Sequence, residues 1–165
     1  MKEHDGLVFE TVRPEDIEEL ARIMARAFDA DSMMHLGRPG GPPGYSDGSF
    51  LRRYALSPRS TSYRILKDSR TAGCIILWIN SATRVHFLGC IFIDPELQGL
   101  GLGTKAWSFV KSEYPDALAW RTETPAFSHR NHCFYVNKLG FHIVHINSPR
   151  DADNAMFQLE KRRES

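Results

Sequence analysis

Long hydrophobic runs are missing from this 165-residue chain. None approaches the roughly 18 apolar residues that a membrane-crossing helix needs, and the opening MKEHDGL has no signal-like apolar core. No internal repeat or low-complexity segment is present. Cysteine is scarce. Cys74, Cys90 and Cys133 form an odd set at no metal-like spacing, which argues against a disulfide framework and for buried thiols in a reducing compartment. Neither sign of charge is in excess: the formal net charge is +1, so composition shows no basic face of the kind that nucleic acid or an acidic membrane recruits. A cytoplasmic protein is expected. The length suits one sizeable core and is short for two, so residues 1–165 are expected to form one domain.

What is present is organised around His86 to Thr104, HFLGCIFIDPELQGLGLGT. Phe87 to Ile93 is a β-branched and aromatic run that reads as a buried strand. Asp94 and Pro95 stop it, because proline has no N–H for a ladder and displaces the preceding residue from the helical region. Gly99, Gly101 and Gly103 then lead into Thr104 to Tyr114, whose apolar period is helical. A strand thus delivers a glycine-rich loop to a helix N-terminus. Unpaired N–H groups and aligned peptide dipoles favour a phosphate there, and glycines let it come close. A phosphate-loop NTPase is excluded, since Gly103 is followed by Thr104 and Lys105 in the wrong order. A dinucleotide-binding reading is closer, with Gly99 and Gly101, Thr104 in place of a third glycine, and Glu123 about 20 residues on as the ribose-binding acid. Too little chain follows Gly103 for most of such a domain.

The spacing Ile93-x-Pro95-x-x-Gln98-x-x-Gly101-x-Gly103 resembles the acetyl-CoA signature of the GNAT superfamily of N-acetyltransferases. His132 to Phe141, HCFYVNKLGF, resembles the superfamily's second signature, an aromatic-Tyr pair followed by L-G-F, and the two stand in the expected order and separation. The resemblance covers about Glu10 to the end. It implies an α/β (α+β) fold with a mixed, mostly antiparallel sheet of six to seven strands flanked on both faces by about four helices. It also implies transfer of acetyl from acetyl-CoA to a primary amine within a ternary complex, and dimers are common in the superfamily. The alternative is a catalytically inactive CoA-binding module of the same fold.

Along the chain, Gly6 to Val12 reads as a first strand. Pro14, Glu15 and Asp16 open a helix whose core face is Ile17, Leu20, Ile23, Met24, Ala27 and Phe28. Asp29 to Gly48, with five glycines and three prolines, reads as a long loop. The resemblance makes it the substrate lid, with Met33, Met34, His35, Arg38 and Tyr45 facing the acceptor; a flexible excursion that binds nothing is the other reading. Ser49 to Leu56 is a short helix. Ser62 to Lys67 and Ala72 to Ile79 form a hairpin through Asp68, Ser69 and Arg70 and precede the central strand in a meander. Ala117 to Thr122 should run parallel to that strand, since a helix connects them. A last helix over His129 to Leu139 is capped by Gly140, and Phe141 to Ile146 with Ala155 to Leu159 close the sheet.

The resemblance assigns roles. Backbone amides from Gln98 through Gly99, Leu100, Gly101, Leu102 and Gly103 to Thr104 hold the CoA diphosphate, and a backbone N–H near Ile91 or Ile93 polarises the thioester carbonyl. Asn131 and Phe134 adjoin the pantetheine. Tyr135, a phenol with an ordinary pKa near 10, is the candidate acid for the departing thiolate. It lies five residues before Gly140 where four is usual, so an extra residue, Val136 or Asn137, is expected to form a helical bulge. From position in the chain, Glu123 at the strand end, reaching the acceptor directly or through water, is the candidate base, with His129 close behind it as the other. His129, His132 and Cys133 lack a fourth ligand, so no metal is expected.

Overall fold

The longest uninterrupted run of buried residues, Thr71 to Leu77, belongs to a central strand of an eight-stranded sheet. The computed structural model describes residues 1–164. Its strands are β1 (Lys2–His4), β2 (Leu7–Thr11), β3 (Thr61–Lys67), β4 (Arg70–Trp78), β5 (Val85–Ile93), β6 (Ala119–Pro125), β7 (His142–Asn147) and β8 (Met156–Arg162). They lie in the order β1-β2-β3-β4-β5-β6-β8-β7, and only the β5–β6 pairing is parallel. The helices are α1 (Ile17–Leu36), α2 (Ser49–Tyr54), α3 (Leu102–Glu113) and α4 (His129–His132), the last continuing as a π-helix over Cys133–Lys138. The mixed, mostly antiparallel sheet is as expected, with more strands than the six to seven anticipated.

The added strand is β1. Asp5 and Gly6, with φ of 52° and 80°, make the tight turn of a hairpin with β2. A larger departure is α1, which does not stop at Phe28 but runs to Leu36. Ala30, Met33, Met34 and Leu36 are good helix formers. Gly37, in the left-handed region at φ 73°, donates its N–H to the Met33 carbonyl at 3.1 Å and ends the helix. The irregular segment is therefore only residues 37–48.

Two cores flank the sheet. On one face α1 and α2 bury Leu20, Met24 and Leu51 against Cys74, Ile76, Cys90 and Phe92. On the other, α3 and the π-helix bury Trp107, Phe109 and Tyr135 against Phe9, Ile75, Leu77, Leu88 and Trp120. Phe9 stacks on Phe109 with centroids 3.8 Å apart. Cys74 and Cys90 are buried, but Cys133 is exposed, against the expectation for all three. No helix among the described residues is long and apolar enough to cross a membrane.

At the end of β5, Asp94 is 2% exposed and accepts from the Glu96 N–H at 3.0 Å and from Arg26 at 2.8 Å, with Arg70 at 3.4 Å. It ties α1 and β4 to the start of the glycine loop. Burial alone pushes its carboxyl up, but the Glu96 N–H and the two guanidiniums outweigh that and hold the pKa below the ordinary carboxylate value. A folded value below the unfolded one means full stabilisation above about pH 4 and progressive loss as the pH falls further. Asp94→Asn should therefore cost about 1–3 kcal/mol in urea unfolding at pH 7 and less at each step below pH 4; an equal cost throughout would contradict the assignment. Burial also pushes the Cys90 thiol up to about 12 and the Cys74 thiol well above its usual value. A thiol reagent at pH 8 should modify Cys133 alone in the folded protein and all three cysteines in urea; rapid modification of a second thiol under native conditions would refute that burial.

Candidate functional site

The parallel strands β5 and β6 pair only from Val85↔Ala119 to Leu88↔Thr122, and then part. The cause lies in β5. Ile76 of β4 faces Cys90 while Leu77 faces Leu88, which leaves Gly89 as an extra residue, a bulge. Glycine is required there because a β-carbon would stand 2.5 Å from the Trp78 indole nitrogen. The bulge turns Cys90 and Phe92 towards α1 and leaves Ile91 and Ile93 on the α3 side. Thr122 donates its hydroxyl to the Leu88 carbonyl at 2.8 Å, at the point where the fork opens. Beyond it, the β5 backbone on that side has no strand partner, which is room for an extended ligand to lie along the strand.

Above the fork stands the glycine loop. Gly99 and Gly101 have φ of 81° and 73°, and a β-carbon at either would meet nothing within 4 Å, so these positions demand conformation and not space. Gly103 is the reverse case: its β-carbon would stand 2.9 Å from the Phe134 ring. The first backbone bond of α3 runs from Lys105 N–H to the Gly101 carbonyl at 3.0 Å. Among the described residues the N–H groups of 99–104 take no protein acceptor, leaving a curl of free donors at the positive end of a helix.

The loop and the fork enclose one cleft of about 730 Å³. It brings together Ile91, Ile93, Gln98, Gly99, Gly101, Leu102, Gly103, Thr104, Asn131, Phe134 and Tyr135. Leu100 is 51% exposed and does not line it. Asn131 donates to the Thr124 hydroxyl at 3.1 Å, joining the last helix to β6. The cleft also holds Asp31, Arg130 and Lys138, to which the sequence pattern assigns no role, and Cys133, which it offers only as a buried thiol or an incomplete metal ligand set. Arg130 donates to the Gln98 side-chain oxygen at 3.0 Å and lies 3.6 Å from Asp31, which is 7% exposed and accepts from Ser128 at 2.9 Å. Asp31 sits in the stretch expected to be loop, and nothing in its local pattern marks it.

The bulge expected near Val136 is present as the π-helix, where Leu139 donates to the carbonyl of Phe134, five residues back, at 3.0 Å. The extra residue turns the Tyr135 side chain inward, to 6% exposure. Burial pushes its phenol well above the usual value near 10 and the Cys90 thiol adds to this, while the Thr122 hydroxyl pulls weakly the other way. At neutral pH Tyr135 is a protonated donor at the cleft wall.

Glu123 lies inside β6, not at the end of a strand finishing at Thr122, and is exposed on the face opposite the buried Thr122 and Thr124. It lines a second cleft, of about 650 Å³, with Ile76, Trp78, Phe87, Gly89 and Cys90 below and Pro42, Pro43, Gly44, Phe50, Arg53 and Tyr54 above. Ile91 lines the first cleft and its neighbour in β5, Cys90, lines the second. The 37–48 segment does wall the second cleft, but none of the five residues expected there does so. Met33 and Met34 are solvent-exposed on α1, His35 stands against Asp31 at 3.5 Å, Arg38 pairs with Asp153 at 2.9 Å, and Tyr45 donates to Asp29 at 2.6 Å. His129 packs between His35 and His132, with centroids 5.6 Å from each, and lines neither cleft. Among the described residues no group of three or more His, Cys, Asp or Glu could hold a metal ion.

This geometry has relatives. The sequence model of the acetyltransferase (GNAT) family matches residues 23–141. YrkN of Bacillus subtilis (strain 168), described as an uncharacterized protein, is 33% identical over 143 residues, which are 87% of this chain and 77% of YrkN. The crystal structure of an acetyltransferase from Thermus thermophilus superposes with a TM-score of 0.72 at 17% identity, covering 95% of this chain and 97% of that one. The PaiA N-acetyltransferase of Thermoplasma acidophilum, crystallised in complex with coenzyme A, gives 0.74 at 16% identity, covering 95% and 99%. At such identities the two structures speak for the fold alone. The family match takes in both the glycine loop and the π-helix with its Leu139-Gly140-Phe141 end, and on that ground this chain belongs to the acetyltransferase (GNAT) family.

Proposed function

We propose that the protein transfers the acetyl group of acetyl-CoA to a primary amine by direct attack within a ternary complex. The observation that carries this reading is that Ile91 and Cys90, neighbours in β5, line two clefts, one walled by free loop amides and the other by Glu123, which makes this step of β5 the junction from one to the other. A diphosphate on the amides of residues 99–104 leaves a pantetheine arm free to run down the open side of β5, which brings a thioester to that junction. Family membership and the coenzyme A bound in the Thermoplasma acidophilum structure support the choice of donor. Arg130 and Lys138 add positive charge at the cleft wall.

At the junction the amine nitrogen attacks the thioester carbonyl, and a β5 backbone N–H near Ile91 or Ile93 stabilises the oxygen as it gains charge. When the C–S bond breaks, Tyr135 donates its phenolic proton to the departing thiolate. Glu123 takes the proton that the amine loses, directly or through water. Cys90 adjoins Ile91 at the junction, and burial keeps its thiol protonated, which disfavours an acyl-enzyme on that residue.

Gly101→Asp puts a β-carbon and a negative charge into the curl of amides, and calorimetry should then register no acetyl-CoA binding; unchanged affinity would refute the loop's role. Tyr135→Phe should lower kcat about 100-fold while acetyl-CoA affinity stays nearly the same, and full turnover in that variant would remove Tyr135 as the acid.

A further inference from the structure

The second cleft has a chemistry of its own. Phe50, Tyr54, Trp78 and Phe87 put four aromatic rings around it, with Phe50 edge-on to Tyr54 at 4.8 Å and Tyr54 edge-on to Trp78 at 6.4 Å. All four are only partly buried, so ring surface is left facing the cleft. The bare backbone of Gly89 is what admits the Trp78 indole, beside the junction at Cys90. Two opposite charges also line the cleft. Glu123 and Arg53 are both exposed, and neither has an ion-pair partner among the described residues; the Arg53 guanidinium rests 5.3 Å over the Tyr54 ring.

An apolar cleft with one free carboxylate and one free guanidinium is complementary to a molecule that has an aromatic body, one amine and one carboxylate. We infer that the acceptor is a free aromatic α-amino acid, its ring among Trp78, Phe87, Phe50 and Tyr54, its amine towards Glu123 and its carboxylate on Arg53. This deepens the acetyl-transfer reading and rests on it. The amine nitrogen forms a bond to the acetyl carbon and loses one proton, the C–S bond breaks, and the thiolate gains a proton, so the products are the N-acetyl amino acid and CoA. A polyamine fits poorly, since several ammonium groups would meet one carboxylate and be repelled by Arg53. A volume of about 650 Å³ holds an amino acid with water to spare.

The test is the initial rate of thiol release from acetyl-CoA with L-tryptophan, L-phenylalanine, tryptamine and spermidine, alongside calorimetry of acetyl-CoA binding. The expected order in kcat/KM is tryptophan or phenylalanine first, at least tenfold above tryptamine, which lacks the carboxylate, and above spermidine. Arg53→Ala should raise the KM for tryptophan and collapse the tryptophan-to-tryptamine ratio towards one, while Arg53→Lys retains most of it. Faster reaction of spermidine, equal rates for tryptophan and tryptamine, a ratio unmoved in Arg53→Ala, or binding of acetyl-CoA with no turnover of either amino acid would each overturn the acceptor assignment alone. Failure to bind acetyl-CoA at all would overturn the acetyl-transfer reading beneath it.

Discussion

The parting of β5 from β6 after Leu88 and Thr122 is the constraint on which the rest of the site depends. Parallel strands that stayed paired to their ends would consume the backbone groups of Gly89 to Ile93 and leave no entry between the sheet and the helices. One extra residue prevents that. Gly89 shifts the register against β4 and reverses the facing of the residues beyond it, and it can be only glycine because Trp78 occupies the place of its side chain. The same contact that opens the fork supplies an aromatic wall to the cleft on its far side.

Around the fork, rigid elements hold soft ones. The glycine loop has conformational demands at Gly99 and Gly101 and would be entropically costly to order alone. It is fixed at one end by Asp94, which joins β5 to Arg26 of α1 and Arg70 of β4, and at the other by the first turn of α3, packed through Gly103 on Phe134. Arg130 links the loop at Gln98 to the buried Asp31. The free amides are thus set in place by contacts from α1, β4, α3 and the last helix, and the donor array does not have to form when an anion arrives.

Where residue identity dictates backbone geometry, the sequence was legible. Pro95 ends a strand, the glycine loop leads into a helix, which starts at Leu102 and not at the expected Thr104, Gly140 ends the last helix, and the spacing of Tyr135 to Gly140 foretold a bulge that proved to be a π-helix. Where tertiary partners override local pattern, it was not. Asp29, Asp31 and Ser32 interrupt the apolar stripe of α1 and look like loop residues. Asp31 is satisfied from a distance by Ser128 and Arg130, and Asp29 by Tyr45, so the helix continues through them. The strand Lys2–His4 has no apolar residue to mark it, and Gly6, the second residue of the hairpin turn, reads in the sequence as the start of the next strand. Glu123 could be singled out by its place in the chain, but its neighbours could not: the walls of its cleft come from α2, β4, β5 and the 37–48 segment, and no spacing within one element records that they meet.

Backbone amide resonances recorded with and without coenzyme A test the central claim most directly. A diphosphate gripped by the loop, with the arm lying along the open side of β5, predicts the largest shifts at residues 99–104 and 89–93, with those of β1, β2 and β7 unmoved. Saturable binding that leaves the 99–104 amides unshifted and perturbs another surface would contradict it.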